Sequence, residues 1–120
     1  MAQEVRRNNL SVWTPINLQN VLVKKLDVFI PTGITVVPEG ALVVWDNNNS
    51  RYELDTTGTL DENPKVGVVY NKTNVADNSL NSIDVIVWGV VDRNRLFYLN
   101  GTTFSPLTSI SYHNPNIKVI

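Results

Sequence analysis

Apolar, mostly β-branched residues form short runs along this chain, and turn-forming residues separate each run from the next. The clearest runs lie at residues 35–37, 41–45, 66–70 and 83–91, and the turn-rich gaps lie at residues 38–40, 46–50, 61–64 and 100–101. Proline favours turns because it fixes φ, glycine because it tolerates positive φ, and Asn and Asp because they bond nearby backbone groups. The pattern predicts a mainly β protein, a small β-rich barrel or sandwich-like domain.

Two further segments, residues 18–30 and 46–50, have recognisable local patterns. The apolar positions of residues 18–30 fit both a helical stripe and strand alternation, and the valine content favours an extended strand. Residues 46–50 separate the run ending at Trp45 from the shorter stretch 51–54. This spacing predicts a hairpin with a loop of about four or five residues.

The composition supports the same fold class and limits the partners. The chain has 120 residues, with 18 valines and 16 asparagines against 3 alanines and 1 methionine, the reverse of helix preference. With 42% hydrophobic and 18% charged residues, it has the composition of one folded domain. Its net charge of -1 gives no bulk attraction to polyanions, so we expect no direct nucleic-acid partner and no membrane partner. The first nine residues hold no apolar signal-peptide core, so we expect no secretion signal.

The sequence lacks most of the residues on which enzyme and metal chemistry depend. There is no cysteine, which excludes disulfides, thiolate metal sites and thiol nucleophiles. The one histidine, His113, cannot build a multi-histidine metal site, and the six glycines do not cluster into a phosphate-binding loop. We therefore expect no enzymatic activity, no catalytic residues, no metal and no cofactor.

The acidic residues have a plainer explanation than catalysis. The pairs Asp61-Glu62 and Glu53/Asp55 lie next to turn residues, where solvated charge is the usual choice, so we interpret neither as an acid–base pair. The loop at residues 46–50 is rich in oxygen atoms but lacks the acidic spacing of a calcium-binding loop. We interpret it as a turn.

Three basic spots, at residues 6–7, 24–25 and 93–95, stand along the chain. Acidic residues are interleaved with all of them. We therefore interpret them as solvated faces or intersubunit ion pairs rather than as a nucleic-acid interface.

The three tryptophans have different sequence contexts. Trp45 and Trp88 lie at the end of or within apolar runs, so we expect both to pack in the core. Trp13 stands among isolated apolar groups in residues 1–17, which cannot bury much surface on their own. An aromatic residue in such a segment is a candidate contact for a partner.

Three motifs follow the N-terminal segment in order. They are Val37-Pro38-Glu39-Gly40-Ala41-Leu42-Val43-Val44-Trp45-Asp46, then Pro64-Lys65-Val66-Gly67-Val68-Val69, then Ile83-Asp84-Val85-Ile86-Val87-Trp88-Gly89-Val90-Val91, before a short terminal strand. This order resembles the head decoration proteins of tailed bacteriophages, the group similar to the lambda head decoration protein. The resemblance covers roughly residues 34 to 120.

The resemblance implies a virion protein, made in the host cytoplasm, that sits as a homotrimer on the outer surface of the capsid and stabilises it. It implies an N-terminal arm, residues 1–30, that docks onto the major capsid protein, and a β-rich decoration domain, residues 31–120. The arm departs from the family in its apolar stretch 18–30 and in Arg6-Arg7. The expected capsid-binding residues are Val5, Arg6, Arg7, Leu10, Val12 and Trp13. The expected trimer-interface residues are Ile117, Val119 and Ile120.

A β-sandwich carbohydrate-binding or head-fibre module of a phage is the alternative function. In such a module Trp45, Tyr52, Trp88 and Tyr98 would be exposed as one stacking platform instead of being buried.

Overall fold

The structure is a computed structural model that describes residues 16–60, 67–107, 109–110 and 116–120. Within these ranges the chain forms strands joined by turns, with a short 3-10 turn at Arg93–Arg95. The strands are β1 (Ile16–Ile30), β2 (Val36–Val37), β3 (Leu42–Asp46), β4 (Arg51–Leu54), β5 (Thr59–Leu60), β6 (Gly67–Val69), β7 (Thr73–Asn74), β8 (Ser79–Val91), β9 (Phe97–Asn100), β10 (Thr103–Pro106), β11 (Ser109–Ile110) and β12 (Ile117–Val119). The prediction of a mainly β protein is confirmed.

Five of these strands close into a ring. β1 pairs with β8 in antiparallel orientation along most of its length, and β8, β6, β3 and β4 follow as antiparallel neighbours. The ring closes where β4 pairs with β1 in parallel, through Val28 and Phe29. β12 lies outside the ring, parallel to the last part of β8.

Residues 18–30 are extended, as their valine content predicts, and they belong to the sheet. β1 pairs with β8 from Ile16 to Ile30, and Val28 and Ile30 are buried in the core. The expected boundary between an arm and a domain at residue 30 therefore does not coincide with a boundary of the fold. The remainder of the expected arm, residues 1–15, lies outside the described residues.

The described residues form two hydrophobic cores, one on each face of the ring strands. Val43, Val69 and Val85 point into the ring and form the inner core with residues from β1 and β4. Their chain neighbours Leu42, Val68 and Ile86 point to the opposite face and form the outer core. Because successive strand residues face opposite sides, burial of both faces requires an unbroken apolar run. Leu96, Val91 and Ile117 complete the outer core.

The predicted hairpin at residues 46–50 forms between β3 and β4. Asp46 registers with Arg51, which leaves a loop at residues 47–50. The Asp46 carboxylate accepts hydrogen bonds from the Asn48 backbone N–H at 2.9 Å and from the Asn49 side-chain amide at 2.7 Å. These bonds explain why aspartate and asparagine suit this loop.

Candidate interaction surface

A β-bulge in β8 decides which of its side chains are exposed. Val23 of β1 registers with Ile86, but Leu22 registers with Trp88, so Val87 is an extra residue on β8. The extra residue reverses the alternation of side chains along the strand. Ile86 faces the outer core before the bulge, and Val91 faces it afterwards.

Gly89 adjoins this bulge and has no room for a side chain. Between Asn17 and Leu22, β1 bulges opposite Gly89, and the Val21 Cγ1 atom lies 2.7 Å from the position that a Cβ on Gly89 would occupy. The φ angle of Gly89 is +144°, which side chains rarely permit. Its N–H donates to the Asn116 carbonyl at 2.9 Å, which helps to hold β12 against β8.

Four apolar side chains share one face of the sheet formed by β1, β8 and β12. Leu22 registers with Trp88, and Val90 registers with Lys118, two residues before Ile120. Leu22, Trp88 and Ile120 are 49%, 46% and 53% exposed, and Val90 is half-buried. We call Leu22, Trp88, Val90 and Ile120 the apolar face. The apolar face continues the inner surface of the ring along β1 and β8, past the residues of these strands that pair with β4 and β6. Leu22 lies an even number of residues from buried Val28 along β1, so both side chains point to the same side of the sheet.

Charges of both signs flank the apolar face. Lys24 and Lys118 are exposed on its β1 and β12 sides. Asp92, two residues after Val90, accepts a hydrogen bond from the Asn94 backbone N–H at 2.9 Å and lies 4.0 Å from the Arg95 Nε. Lys118 forms no ion pair in the part of the chain that the structure describes.

The residues expected at a trimer interface lie in two different environments. Ile117 is buried in the outer core and Val119 packs against that core. Both side chains face the outer core because Ile117 registers with Gly89, and Val119 registers with Val91, which is itself buried there. The Ile117 side chain therefore fills the chain's own core, whereas the Val119 side chain is partly exposed beside it. Ile120 is exposed on the apolar face. The expected capsid-binding residues all precede Ile16 and lie outside the described residues. His113, Asp61 and Glu62 also lie outside the described residues.

The expectation that Trp88 is a core residue is wrong, and Trp45 does not belong to either of the two cores. Trp45 is half-buried, packs edge-on against Tyr52 with ring centroids 5.0 Å apart, and donates from Nε1 to the Asn47 side-chain oxygen at 2.8 Å. Trp88 lies in an equally apolar run, but the bulge turns it to the uncovered face. The only sequence signal for this bulge is Gly89 inside a valine-rich strand.

The four aromatic residues of the alternative function do not form one platform. Val28 registers with Tyr52 and Leu22 with Trp88, so these two rings are offset by six residues of β1, roughly 20 Å. Tyr98 packs over Gly58, with its Cζ atom 3.1 Å from the position of an added Cβ.

Glu53 of β4 and Asp55, which follows β4, each accept a hydrogen bond from a neighbouring side chain. Glu53 accepts a 2.7 Å ion-paired hydrogen bond from the Arg51 Nε. Asp55 is buried, its Oδ1 accepts from the Thr57 hydroxyl at 2.8 Å, and its Oδ2 has no hydrogen-bond partner in the described part of the chain.

Within the described ranges, no group of three or more His, Cys, Asp or Glu residues is placed to hold a metal ion. Nor does any helix among the described residues have the length and apolarity to cross a membrane.

Among the described residues, two carboxyl groups have pKa values that are shifted from their ordinary values. Hydrogen bonds from the Asn49 side chain and the Asn48 backbone lower the pKa of Asp46. Partial burial raises the pKa of Glu39, and the positive charge of Arg95 partly opposes that rise.

Two of the three basic spots have acidic partners: Lys25 pairs with Asp84 at 2.9 Å, and Arg95 lies near Asp92.

No protein-family model, curated protein or solved structure matches this chain.

Proposed function

We propose that this protein is a non-enzymatic head decoration protein of a tailed bacteriophage, which binds the outside of the capsid as a homotrimer and stabilises the shell. The observation that carries the proposal is the apolar face on a small closed fold. A protein that cements a shell as an oligomer needs a rigid body and an uncovered apolar surface through which it can associate, and it needs no catalytic group. The motifs at residues 37–46, 64–69 and 83–91 add the resemblance to this family.

The closed ring suits a cementing role. The ring strands are covered on both faces at residues 42–43, 68–69 and 85–86, so the body can bridge neighbouring subunits without rearranging. The net charge of -1 also fits, because many copies crowd the same shell and a large like charge on each would repel its neighbours.

The proposed contacts with the major capsid protein remain Val5, Arg6, Arg7, Leu10, Val12 and Trp13. The segment that carries them joins the fold at Ile16, which registers with Val91. Fifteen residues span at most about 50 Å when fully extended, enough to cross part of a neighbouring subunit.

The test uses DNA-filled particles stripped of this protein. Because binding only to the assembled shell stabilises that shell, stripped particles should lose their genome at a lower temperature and recover when purified protein is added back. Trp13→Ala should restore them less well than wild type, with Trp45→Phe as the matched control inside the fold. Equal heat stability with and without the protein contradicts the proposal.

Half-exposed Trp88 favours the carbohydrate-binding or head-fibre module as a second candidate function. An exposed indole can stack on a sugar ring. Glycan titration followed by tryptophan fluorescence tests this candidate, with Trp88→Phe to assign the signal. A saturable change that Trp88→Phe removes supports the module, and a flat titration removes it.

A further inference from the structure

We propose that the apolar face is the surface through which one copy of this chain binds a second copy, and that it does not face the shell. The inference rests on the proposed function only for its expectation of a homotrimer. It assigns self-association to Leu22, Trp88, Val90 and Ile120, in place of the side chains of Ile117 and Val119.

The apolar face has the composition of an interface centre. Leu22 and Trp88 are direct cross-strand neighbours, and Ile120 lies on the same face beyond Lys118. Each of the three apolar side chains is about half exposed. Contiguous apolar side chains of this size are uncommon on a monomer surface, and tryptophan is among the residues most enriched at binding hot spots.

The charges beside the face fit a second copy of the same chain. A partner with a strongly charged surface would be matched by charges of one sign, whereas Lys118 and Asp92 supply both signs within one copy. Two copies can therefore approach without like-charge repulsion. Asp92 of one copy, which lies 4.0 Å from its own Arg95 Nε, can also approach Lys118 of the next, which forms no ion pair among the described residues.

The sheet edges on either side of the face are also complementary. Among the described residues, no strand pairs with the outer edge of β12, nor with the outer edge of β1 before Val28. The Asn116 carbonyl and the Ile120 N–H bond to β8. Because bonding alternates along a strand, the backbone groups of Ile117 and Val119 point away from β8, toward the open edge.

β12 runs parallel to β8, and β8 runs antiparallel to β1, so the two open edges run in opposite directions. The β12 edge of one copy can then add to the β1 edge of the next as an antiparallel strand. This contact joins two different surfaces and repeats identically, which is how cyclic oligomers close. Since the apolar face continues the inner surface of the ring, closure turns the apolar faces of the copies toward one another.

The experiment measures the mass of the full chain by sedimentation and native mass spectrometry over a range of concentrations. Trp88→Glu and Leu22→Glu place a charge in the apolar face. The matched control is Leu80→Glu, because Leu80 is 58% exposed on the same strand but lies before the bulge, outside the face. Wild type and Leu80→Glu should form the same oligomer, and both face variants should associate at least tenfold more weakly. Circular dichroism of each variant establishes that it is folded.

Each outcome separates this inference from the proposed function. A monomeric wild type, or a folded Trp88→Glu that associates as tightly as wild type, overturns the inference. If Trp88→Glu stays oligomeric but no longer binds stripped particles, the face contacts the shell, so the inference fails and the proposed function stands. If wild type associates through the face but never binds particles, the proposed function fails and the inference stands.

Discussion

Strand β8 passes through two environments. In residues 83–87 the inner face is covered, with Ile83 and Val85 in the inner core, and Ile86 lies in the outer core. In residues 88–91 only the outer face is covered, since Val91 is buried in the outer core together with Ile117 of β12, and Trp88 is half exposed on the other face. The two halves have similarly apolar sequences. The difference shows that the burial of an apolar strand depends on which neighbours reach each face, and here the ring covers the inner face only as far as the bulge.

The largest expected effect on the free energy of unfolding comes from truncating one side chain in each half of β8 and comparing the two costs. Ile83→Ala should lower the free energy of unfolding by about 2–5 kcal/mol, because Ile83 is fully buried in the inner core and its loss leaves a cavity. Trp88→Ala should cost less than about 1 kcal/mol in the monomer, because solvent already reaches its ring. Chemical denaturation at a concentration where the chain is monomeric measures both. Equal costs would mean that the two halves do not differ as described.

The junction between the two halves can be tested at Gly89. Gly89→Ala should cost about 1–3 kcal/mol, because the new Cβ meets Val21 and the φ of +144° strains an alanine. Gly101→Ala is the matched control. Its φ is also positive, +68°, but no atom lies within 4 Å of an added Cβ, so the cost should be smaller. Thermal unfolding of the two variants ranks them, and the reverse order would show that the bulge yields to a side chain.

The smallest expected effects depend on pH and belong to the loops that flank β3 in the ring. The fold lowers the pKa of Asp46, so its carboxylate stabilises the protein above the ordinary pKa, and this contribution is lost as pH falls through the folded pKa. Asp46→Ala should therefore lower the melting temperature at pH 7, with a difference that shrinks below about pH 4.

Glu39→Gln supplies a comparison of opposite sign. The fold raises the pKa of Glu39, so its charged form is disfavoured, and removing the charge should raise the melting temperature at pH 7 and have no effect in acid. Differences that do not change with pH for either variant would contradict these assignments.

Local sequence patterns predict the strands well and the exposed face poorly. Residues 47–50 form the expected loop because Asp46 and the asparagines bond within it, which is a local interaction. The exposure of Trp88 is not local. It follows from one extra residue in β8, and moving a strand by one position exchanges its two faces. Likewise, the sequence alone predicts Ile117 at an interface, and its register with Gly89 is what places it in the outer core.

The pairing of β1 with β8 also determines the order in which the chain can fold. Ile30 pairs with Ser79 and Ile16 with Val91, so these contacts join positions about 50 to 75 residues apart, a non-local topology associated with folding in milliseconds to seconds. On the ribosome, β1 must wait for residues 79–91 before most of its edge has a partner. During that interval its apolar side chains and open edge are accessible to other nascent chains, so rapid synthesis of many copies exposes β1 to mispairing. The yield of folded protein should therefore depend on temperature and expression rate more steeply than its final stability suggests.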